Sequence, residues 1–300
     1  MKPSSSSGEQ LVPPLFPELP LNAQGKSRRY KRIRTPIWSE HKAKFIQQYL
    51  QIFVQITKSG AYIDGFSGPQ NEGQTDAWTA ELVLKSEPKW LTHFFLCETN
   101  RKSLVALRKL KRTQPFHDRK GRKIYRKIEI KPGDFNITIA EILTTKCITQ
   151  KKPTFCLLDQ RMFECNWETV KKLAAYKKQP NNKIELLYFL GVGWLHRSMS
   201  GIKHPEKMDR WWGRQDWRKL KGMTHGDIAE LVRKRFEDEL GYRFAAAYPI
   251  YEREEGNRVM YYMIHASDHE EAPTLMVRAH HKAVRSLPKE IQEPLNFPSE

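Results

Sequence analysis

The fold is decided by the stretch Ala61-Tyr62-Ile63-Asp64-Gly65-Phe66-Ser67-Gly68-Pro69. An apolar run reaches Asp64, and Gly65 and Gly68 follow it within four positions. The pattern predicts a buried strand that ends in a tight turn, because glycine has no Cβ and lets a ligand approach the main chain. In an open α/β sheet, ligands bind at the carboxyl ends of the strands, where this turn is expected. An ordinary strand and turn without a ligand is the alternative that this stretch alone leaves open.

Three further apolar runs of the chain also lead to an acidic residue, namely Glu98, Asp134 and Asp159. The carboxyl ends of parallel strands meet at one edge of a sheet, so we expect these residues to lie near Asp64. Desolvated carboxylates there would suit a ligand that carries hydroxyl groups, an amine and a positive centre. The sequence therefore predicts alternating strands and helices around an acidic ligand site.

Each of these acids has a structural alternative. Glu98 lies about thirty residues beyond the glycines, which is the length of one βαβ step, and there it could accept hydrogen bonds from a ribose. It could equally be a solvated strand end. Asp134 could meet the exocyclic amine of a purine, with Phe135 packed on the ring. It could equally cap the helix that begins near Ile137.

Polar and aromatic residues follow Asp159, where an ordinary loop would have small residues. Either Asp159 or the amide of Gln160 is expected to orient an acceptor amine, and Phe163 is expected to stack on an extruded base. Arg161 is expected to contact the substrate. Cys165 as a covalent nucleophile is a weaker alternative, because only Arg161 nearby would lower its pKa.

The charge balance points to a polyanionic partner. The 300 residues carry a formal charge of +18 and contain 39% hydrophobic residues, which predicts a folded protein with a basic surface. The segment 101–131 contains thirteen Lys and Arg residues and only two acids. Within its basic turn, Lys120, Arg122 and Lys123 are expected to contact nucleic acid. A basic surface with no such partner is the alternative.

A second candidate surface lies in the segment 194–224, which breaks the alternating pattern. It interleaves cations and aromatic residues: Arg210, Trp211, Trp212 and Arg214. Such residues can stack bases and hold phosphates. They could equally form a small helical insertion whose tryptophans fill the core.

The chain is expected to divide into a Pro- and Ser-rich basic arm at 1–34, one domain at 35–287 and a tail at 288–300. The first helix is expected to begin at Thr35-Pro36, with Trp38 and His41 either in the core or over the ligand turn. Strands at about 244–252 and 258–266, joined by a turn near Gly256, predict a hairpin.

Cysteine usage and hydropathy indicate the compartment. The four cysteines form no CxxC pair, so we expect reduced thiols and neither a zinc site nor any other metal site. No apolar run reaches transmembrane length and no signal peptide is apparent, so a soluble cytoplasmic protein is expected.

The motifs resemble those of class I methyltransferases, which bind S-adenosylmethionine on a Rossmann-like sheet. The residues that carry the likeness are Asp64-Gly65-Phe66-Ser67-Gly68, Glu98, Asp134 and Asp159. More narrowly, the chain resembles the three-Cys-motif partner protein family over about residues 35–287, through its opening helix, 63–69 and 261–267. The resemblance implies an α/β fold of seven mostly parallel strands with a C-terminal antiparallel hairpin and a small helical insertion.

The same resemblance implies a cofactor site. Asp64 and Phe66 would belong to the turn, Gly65 and Gly68 would flank the methionine part of S-adenosylmethionine, and Glu98 and Asp134 would take the ribose and the adenine. The family name also implies a possible protein partner. After Asp159, however, this chain has Gln-Arg-Met-Phe where the family commonly has Pro-Phe-Gly.

The leading hypothesis is therefore an S-adenosylmethionine-dependent methyltransferase that acts on a DNA or RNA base. The alternative is a non-catalytic nucleic-acid-binding protein on the same scaffold, which the altered loop after Asp159 motivates. A small-molecule methyltransferase is a third possibility, and it would leave the positive charge unexplained.

Overall fold

A computed structural model describes residues 37–69, 78–118, 120–178, 182–251 and 259–284. The strands in chain order are β1 Ala61–Asp64, β2 His93–Glu98, β3 Lys127–Pro132, β4 Thr154–Leu158, β5 Glu185–Leu190, β6 Phe244–Tyr251 and β7 Val259–Ser267. The helices are α1 Ile37–Thr57, α2 Thr79–Lys85, α3 Arg101–Arg112, α4 Phe135–Thr144, α5 Trp167–Tyr176, α6 Leu195–Gly201, α7 Pro205–Trp212, α8 His225–Asp238 and α9 Ala272–Val284.

Several predicted features lie outside the described residues. They are the arm at 1–34, the helix start at 35–36, the hairpin turn near Gly256, the tail at 288–300 and the side chains of Trp38 and His41. The predicted places of Trp38 and His41, in the core or over the ligand turn, therefore remain predictions.

The seven strands form one sheet in the order β3-β2-β1-β4-β5-β7-β6. The first five are parallel to one another, and β7 runs antiparallel to both β5 and β6. After β1, the chain adds β2 and β3 on one side of that strand. It then crosses over, so that β4 pairs with the other side of β1. This is the class I methyltransferase sheet with its C-terminal antiparallel hairpin, as predicted, and its switch point lies between β1 and β4.

The central strands are mostly apolar because helices cover both faces of the sheet. Every residue of β1, β4 and β5 is buried, as is usual for parallel strands. On one face, α4, α5 and α8 contribute to the main apolar cluster. On the other face, α1 packs against α9, and Tyr49 and Phe53 of α1 contact the ring of Phe155. The core therefore holds the carboxyl ends of β1 and β4 in a fixed position.

The insertion between β5 and α8 consists of α6, α7 and a 3₁₀ helix at Asp216–Gly222. Trp211 and Trp212 are 3% and 2% exposed and belong to the main core. Arg235 of α8 lies between the rings of Trp167 and Trp212, at 3.9 and 4.2 Å from their centroids. Of the two alternatives for these tryptophans, base stacking or a place in the core, the structure shows the second. The expectation that Trp211 and Trp212 stack bases is wrong, because burial leaves them no face for a ligand.

Candidate ligand site at the switch point

The turn after β1 is held by its acidic residue. One carboxylate oxygen of Asp64, Oδ1, accepts a hydrogen bond from the Phe66 main-chain N–H at 3.1 Å, and Oδ2 accepts one from the Tyr62 hydroxyl at 3.2 Å. The Ser67 hydroxyl donates to the Asp64 carbonyl at 3.0 Å. The Ser67 N–H donates to the Cys97 carbonyl at 2.9 Å, which ties the turn to the end of β2.

Asp64 is 1% exposed, and its burial raises the pKa of its carboxyl group from 3.8 to about 7. Hydrogen bonds from Phe66, Tyr62 and Ser67 oppose the shift, and the neighbouring negative charge of Asp159 adds to it. Burial outweighs the hydrogen bonds because the free energy lost when a carboxylate is removed from water exceeds the stabilisation that three neutral donors supply. A buried carboxyl group whose pKa lies near 7, at the switch point of a sheet, is a candidate for ligand binding.

Lys42 of α1 contacts the acid at the end of β4, and the sequence analysis missed it. Its Nζ lies 2.8 Å from Asp159 Oδ2 and 2.9 Å from Oδ1, and the two side chains are 3% and 11% exposed. The ammonium also lies 5.5 and 5.9 Å from the ring centroids of Phe189 and Tyr261. A sequence signal did exist: Lys42 shares the buried stripe of α1 with Phe45, at a three-residue spacing.

Glu98 at the end of β2 approaches the turn after β1. Its Oε1 accepts hydrogen bonds from the N–H groups of Thr99 and Asn100 at 2.7 and 2.8 Å, and Oε2 lies against Gly68. A Cβ at Gly68 would overlap this carboxylate, so only glycine allows the approach. The structure thus places Glu98 and Gly68 together at the same edge as Asp64.

Asp134 and Phe135 also reach this edge. Asp134 caps α4, since its Oδ1 accepts hydrogen bonds from the Asn136 N–H at 2.9 Å and from Asn136 Nδ2 at 2.8 Å. The capping alternative for Asp134 is therefore present in the structure. The Phe135 ring lies 5.9 Å from that of Phe66, and a Cβ at Gly65 would come within 2.9 Å of it. Phe135 is 2% exposed, so its contact with Gly65 is one of core packing.

The loop after β4 is tied to its neighbours by Gln160, which is 1% exposed. Its Oε1 accepts hydrogen bonds from the N–H groups of Glu164 and Cys165 at 3.1 and 2.9 Å, and its Nε2 donates to the Phe189 carbonyl at 3.2 Å. Gln160 is a positioning residue for this loop. The expectation that its amide orients an acceptor is wrong, because the amide is buried and used within the protein.

The other predicted residues of this loop differ in exposure. Phe163 is half-buried, with its ring 5.0 Å from that of Trp211 and inclined to it by 61°, so it packs on the core. Arg161 is exposed. Cys165 is fully buried, and burial raises the pKa of its thiol well above the usual range. A thiol in this state is a poor nucleophile, which removes the covalent alternative.

The predicted substrate-binding cations are exposed but lie on different elements. Lys120, Lys123 and Arg210 are exposed. Arg122 pairs with Asp118 at 2.7 Å across the basic turn, and Arg214 pairs with Glu239 at 2.7 Å. Lys120, Arg122 and Lys123 lie between α3 and β3, and Arg210 and Arg214 lie in the insertion after β5. Of the predicted cations, only Arg161 follows a strand that ends at the switch point.

A small pocket lies between Asp64, Asp159, Gly68, Trp78 and Thr79. Its volume of about 10 Å³ is room for one water-sized group. The acceptors suit a small cationic group, because the carboxyl groups of Asp64 and Asp159 both lie in the wall. Glu98 and Asp134 are not among the residues that line this pocket. Within the described ranges, no cluster of three or more His, Cys, Asp or Glu side chains could hold a metal ion.

Several solved structures resemble this chain, and three of them are as follows. The methyltransferase domains of bacterial CtHen1-C and CtHen1-CN have 12% and 11% sequence identity and TM-scores of 0.42 and 0.41; each alignment covers 76% of this chain, and 98% and 99% of theirs. Protein LPL1258 from Legionella pneumophila has 6% identity and a TM-score of 0.43, over 85% of this chain and 94% of that one. No protein-family model and no curated protein matches the sequence. Because these TM-scores are low, the fold assignment rests on the strand order.

Hydropathy gives one further result. Over the part of the chain that the structure covers, none of the helices combines the length and the apolar character that crossing a membrane requires.

Proposed function

We propose that the protein is an S-adenosylmethionine-dependent methyltransferase that acts on nucleic acid. One observation carries the proposal: a buried carboxyl group, Asp64, has a pKa raised to about 7 at the switch point of a class I methyltransferase sheet. The ionised form of a buried carboxyl group is costly at neutral pH, and a bound cation would offset that cost. A cationic ligand group next to Asp64 would restore the charge balance.

The remaining residues of the edge would divide the cofactor between them. Asp64 would face the positive methionine part, and the main chain at Gly65 and Gly68 would lie alongside it. Glu98 would accept hydrogen bonds from the ribose hydroxyls, and Asp134 would meet the adenine amine. When bound, the cofactor would supply an electrophilic methyl group. The protein would mainly hold the acceptor in line with it, for which no strong base is required.

Nucleic acid as the substrate rests on charge. The sequence carries +18, and the exposed cations include Arg161, Lys120, Lys123 and Arg210. A surface of this kind attracts a polyanion and would be destabilised by self-repulsion without one. A small-molecule substrate would give no reason for this charge.

Calorimetry with S-adenosylmethionine tests the cofactor. We expect binding by the wild type and its loss in the Asp64→Asn variant, while Asp238→Asn, the same change at an exposed position of α8, leaves it intact. A ligand cation prefers the ionised form of Asp64. Since about a tenth of it is ionised at about pH 6, binding should be about tenfold weaker there than at about pH 8. Equal binding by both variants would refute the assignment of the site.

Mass spectrometry of nucleosides tests the reaction. DNA and RNA would be incubated with the protein and isotopically labelled S-adenosylmethionine, and a labelled methylated base would identify the target. The Asp64→Asn protein is the negative control. Cofactor binding without any labelled nucleoside, in either nucleic acid, would remove the enzymatic part of the proposal.

A specific observation favours a second candidate, a non-catalytic nucleic-acid-binding protein. At the end of β4, where an acceptor would lie, Lys42 already pairs with Asp159, and Gln160 is buried in the loop. An acceptor amine would have to compete with the ammonium of Lys42 for the same carboxylate. This candidate predicts nucleic-acid binding with no S-adenosylmethionine binding, so the calorimetry separates the two.

A further inference from the structure

We infer that helix α3 and the cleft beside its C-terminal end form a binding surface for single-stranded nucleic acid. The inference rests on the proposed function, because the bound strand is taken to be the substrate of the switch-point site. This surface lies at the β3 edge of the sheet, and its cleft shares no residue with the small pocket at Asp64.

The first observation is a row of exposed residues along α3. Arg101, Val105, Arg108 and Arg112 follow one another at spacings of four, three and four, which places them on one face of the helix. All four are exposed, and Val105 is 62% exposed. A helix of twelve residues is about 18 Å long. Since α3 begins three residues after Glu98, this row leads from the acidic edge to the far end of the helix.

The second observation is a cleft at that far end, with a volume of about 570 Å³. Its walls include Arg108, Lys111, Arg112, Phe116, Ile124 and Arg126. Among the described residues, no carboxylate forms an ion pair with Arg108, Lys111 or Arg112. The three cations of α3 therefore face the cleft without a neutralising partner. This volume is within the range of small-ligand pockets and would hold a nucleobase.

The third observation is a pair of exposed aromatic rings. Phe116 is 79% exposed and Tyr125 is 73% exposed, and they flank a short hairpin closed by the Ile124 N–H, which donates to the Phe116 carbonyl at 2.8 Å. Lys123 Nζ lies 5.4 Å from the centre of the Tyr125 ring. The exposure of two large rings is unfavourable in water, and an unpaired base would cover such a ring by stacking on it while its phosphate meets a neighbouring cation.

Two buried polar atoms in the cleft wall point the same way. Within the described part of the chain, Arg126 Nε and Gln114 Oε1 have no hydrogen-bond partner. Arg126 is held in place because its Nη1 donates to the Leu84 carbonyl at 2.8 Å and its guanidinium lies over the Phe94 ring. If the wall adjusts so that a base reaches them, this donor and this acceptor match the mixed edge of a base better than a purely anionic ligand. Single strands present such edges, whereas a duplex keeps its Watson–Crick edges paired.

Binding of short labelled single-stranded DNA and RNA, measured by fluorescence anisotropy over a series of salt concentrations, tests the inference. The double variant Arg108→Ala/Arg112→Ala should reduce the slope of log K against log salt by about 1.4, which is two contacts at about 0.7 each. Phe116→Ala should weaken binding by about fivefold or more and leave the slope unchanged. Preference for DNA or RNA would identify the sugar.

The matched controls are Lys172→Ala/Lys178→Ala, which removes two exposed charges near α5, and Ile56→Ala, which trims an exposed apolar side chain of α1. Both should bind as the wild type does. All variants lie at exposed positions, and thermal unfolding would verify that each is folded. The inference is overturned if the wild type binds no single strand, if the controls weaken binding equally, or if a duplex or polyglutamate competes as well as a single strand.

The experiment needs no cofactor, so it separates this inference from the proposed function. Strand binding with the expected pattern, together with no methyl transfer, supports the α3 surface and counts against the enzyme. Methyl transfer to nucleic acid that the Arg108→Ala/Arg112→Ala and Phe116→Ala variants perform at wild-type KM supports the enzyme and overturns the α3 surface.

Discussion

Replacing Asp64 by Asn should stabilise the protein in a way that depends on pH. Asparagine has nearly the same shape, and its amide oxygen can still accept the hydrogen bond from the Phe66 N–H. What the change removes is the ionisable group. Because the carboxyl group is buried, the folded protein holds its proton up to about pH 7, whereas the unfolded chain loses it near 3.8.

The sign follows from proton linkage. Between about pH 4 and about pH 7 the unfolded wild type releases the proton of Asp64 before the folded protein does, so the free energy of unfolding falls as the pH rises. The fall is about 1.4 kcal/mol per pH unit and ends near pH 7, which amounts to about 4 kcal/mol in all. The Asn variant has no ionisable group at position 64, so its free energy of unfolding does not show this fall.

Urea unfolding of both proteins across this pH range measures the effect. The stability difference between Asp64→Asn and the wild type should grow from about zero near pH 4 to about 4 kcal/mol near pH 7, and stay constant above it. Asp238→Asn at the exposed end of α8 is the control for loss of one negative charge, and its difference should stay small. A difference that is independent of pH, or a variant less stable than the wild type at about pH 8, would contradict the burial argument.

Three further results are expected. Lys42→Met should destabilise the protein by about 3–5 kcal/mol in urea unfolding, because the carboxylate of Asp159, which is only 11% exposed, loses its partner. Gly68→Ala should weaken S-adenosylmethionine binding at least tenfold in calorimetry, because its Cβ would displace the carboxylate of Glu98. Iodoacetamide should label only Cys147 in the native protein, because the other three thiols are buried and their pKa values are raised.

Each of these three results has a control. Lys172→Met makes the same change at an exposed position and should leave stability within about 0.5 kcal/mol of the wild type. Gly201→Ala introduces a Cβ into open space and should leave ligand binding unchanged. Labelling after unfolding should reach all four cysteines. Equal effects of Lys42→Met and Lys172→Met, unchanged binding by Gly68→Ala, or rapid native labelling of Cys165 would each contradict the corresponding contact.

The α/β fold and the acidic edge could be predicted from the sequence because both depend on local patterns. Apolar runs that end at Asp64, Glu98, Asp134 and Asp159 follow one another at the interval of a strand and a helix, and parallel strands bring such ends together. The hairpin at the end of the chain also follows from local alternation. These features need no knowledge of which side chain faces which.

The errors concern side chains whose surroundings come from distant parts of the chain. The sequence alone allows Trp211 and Trp212 to stack bases, because alternating cations and aromatic residues occur both on binding surfaces and in cores. Arg235, located more than twenty residues later, decides the matter by lying against Trp212. Gln160 was expected to face a substrate, and its partner Phe189 on β5 buries it instead.

The sequence by itself determined the order of the elements and the acids at the strand ends, because periodicity and turn residues act over a few positions. Only the tertiary structure decided which of those acids has an ion-pair partner and which has a pKa raised by burial. Lys42 is 117 positions from Asp159 in the chain, and their contact exists only because α1 packs across the sheet. Burial likewise results from the whole fold, so the raised pKa of Asp64 could not be inferred from its neighbours in sequence.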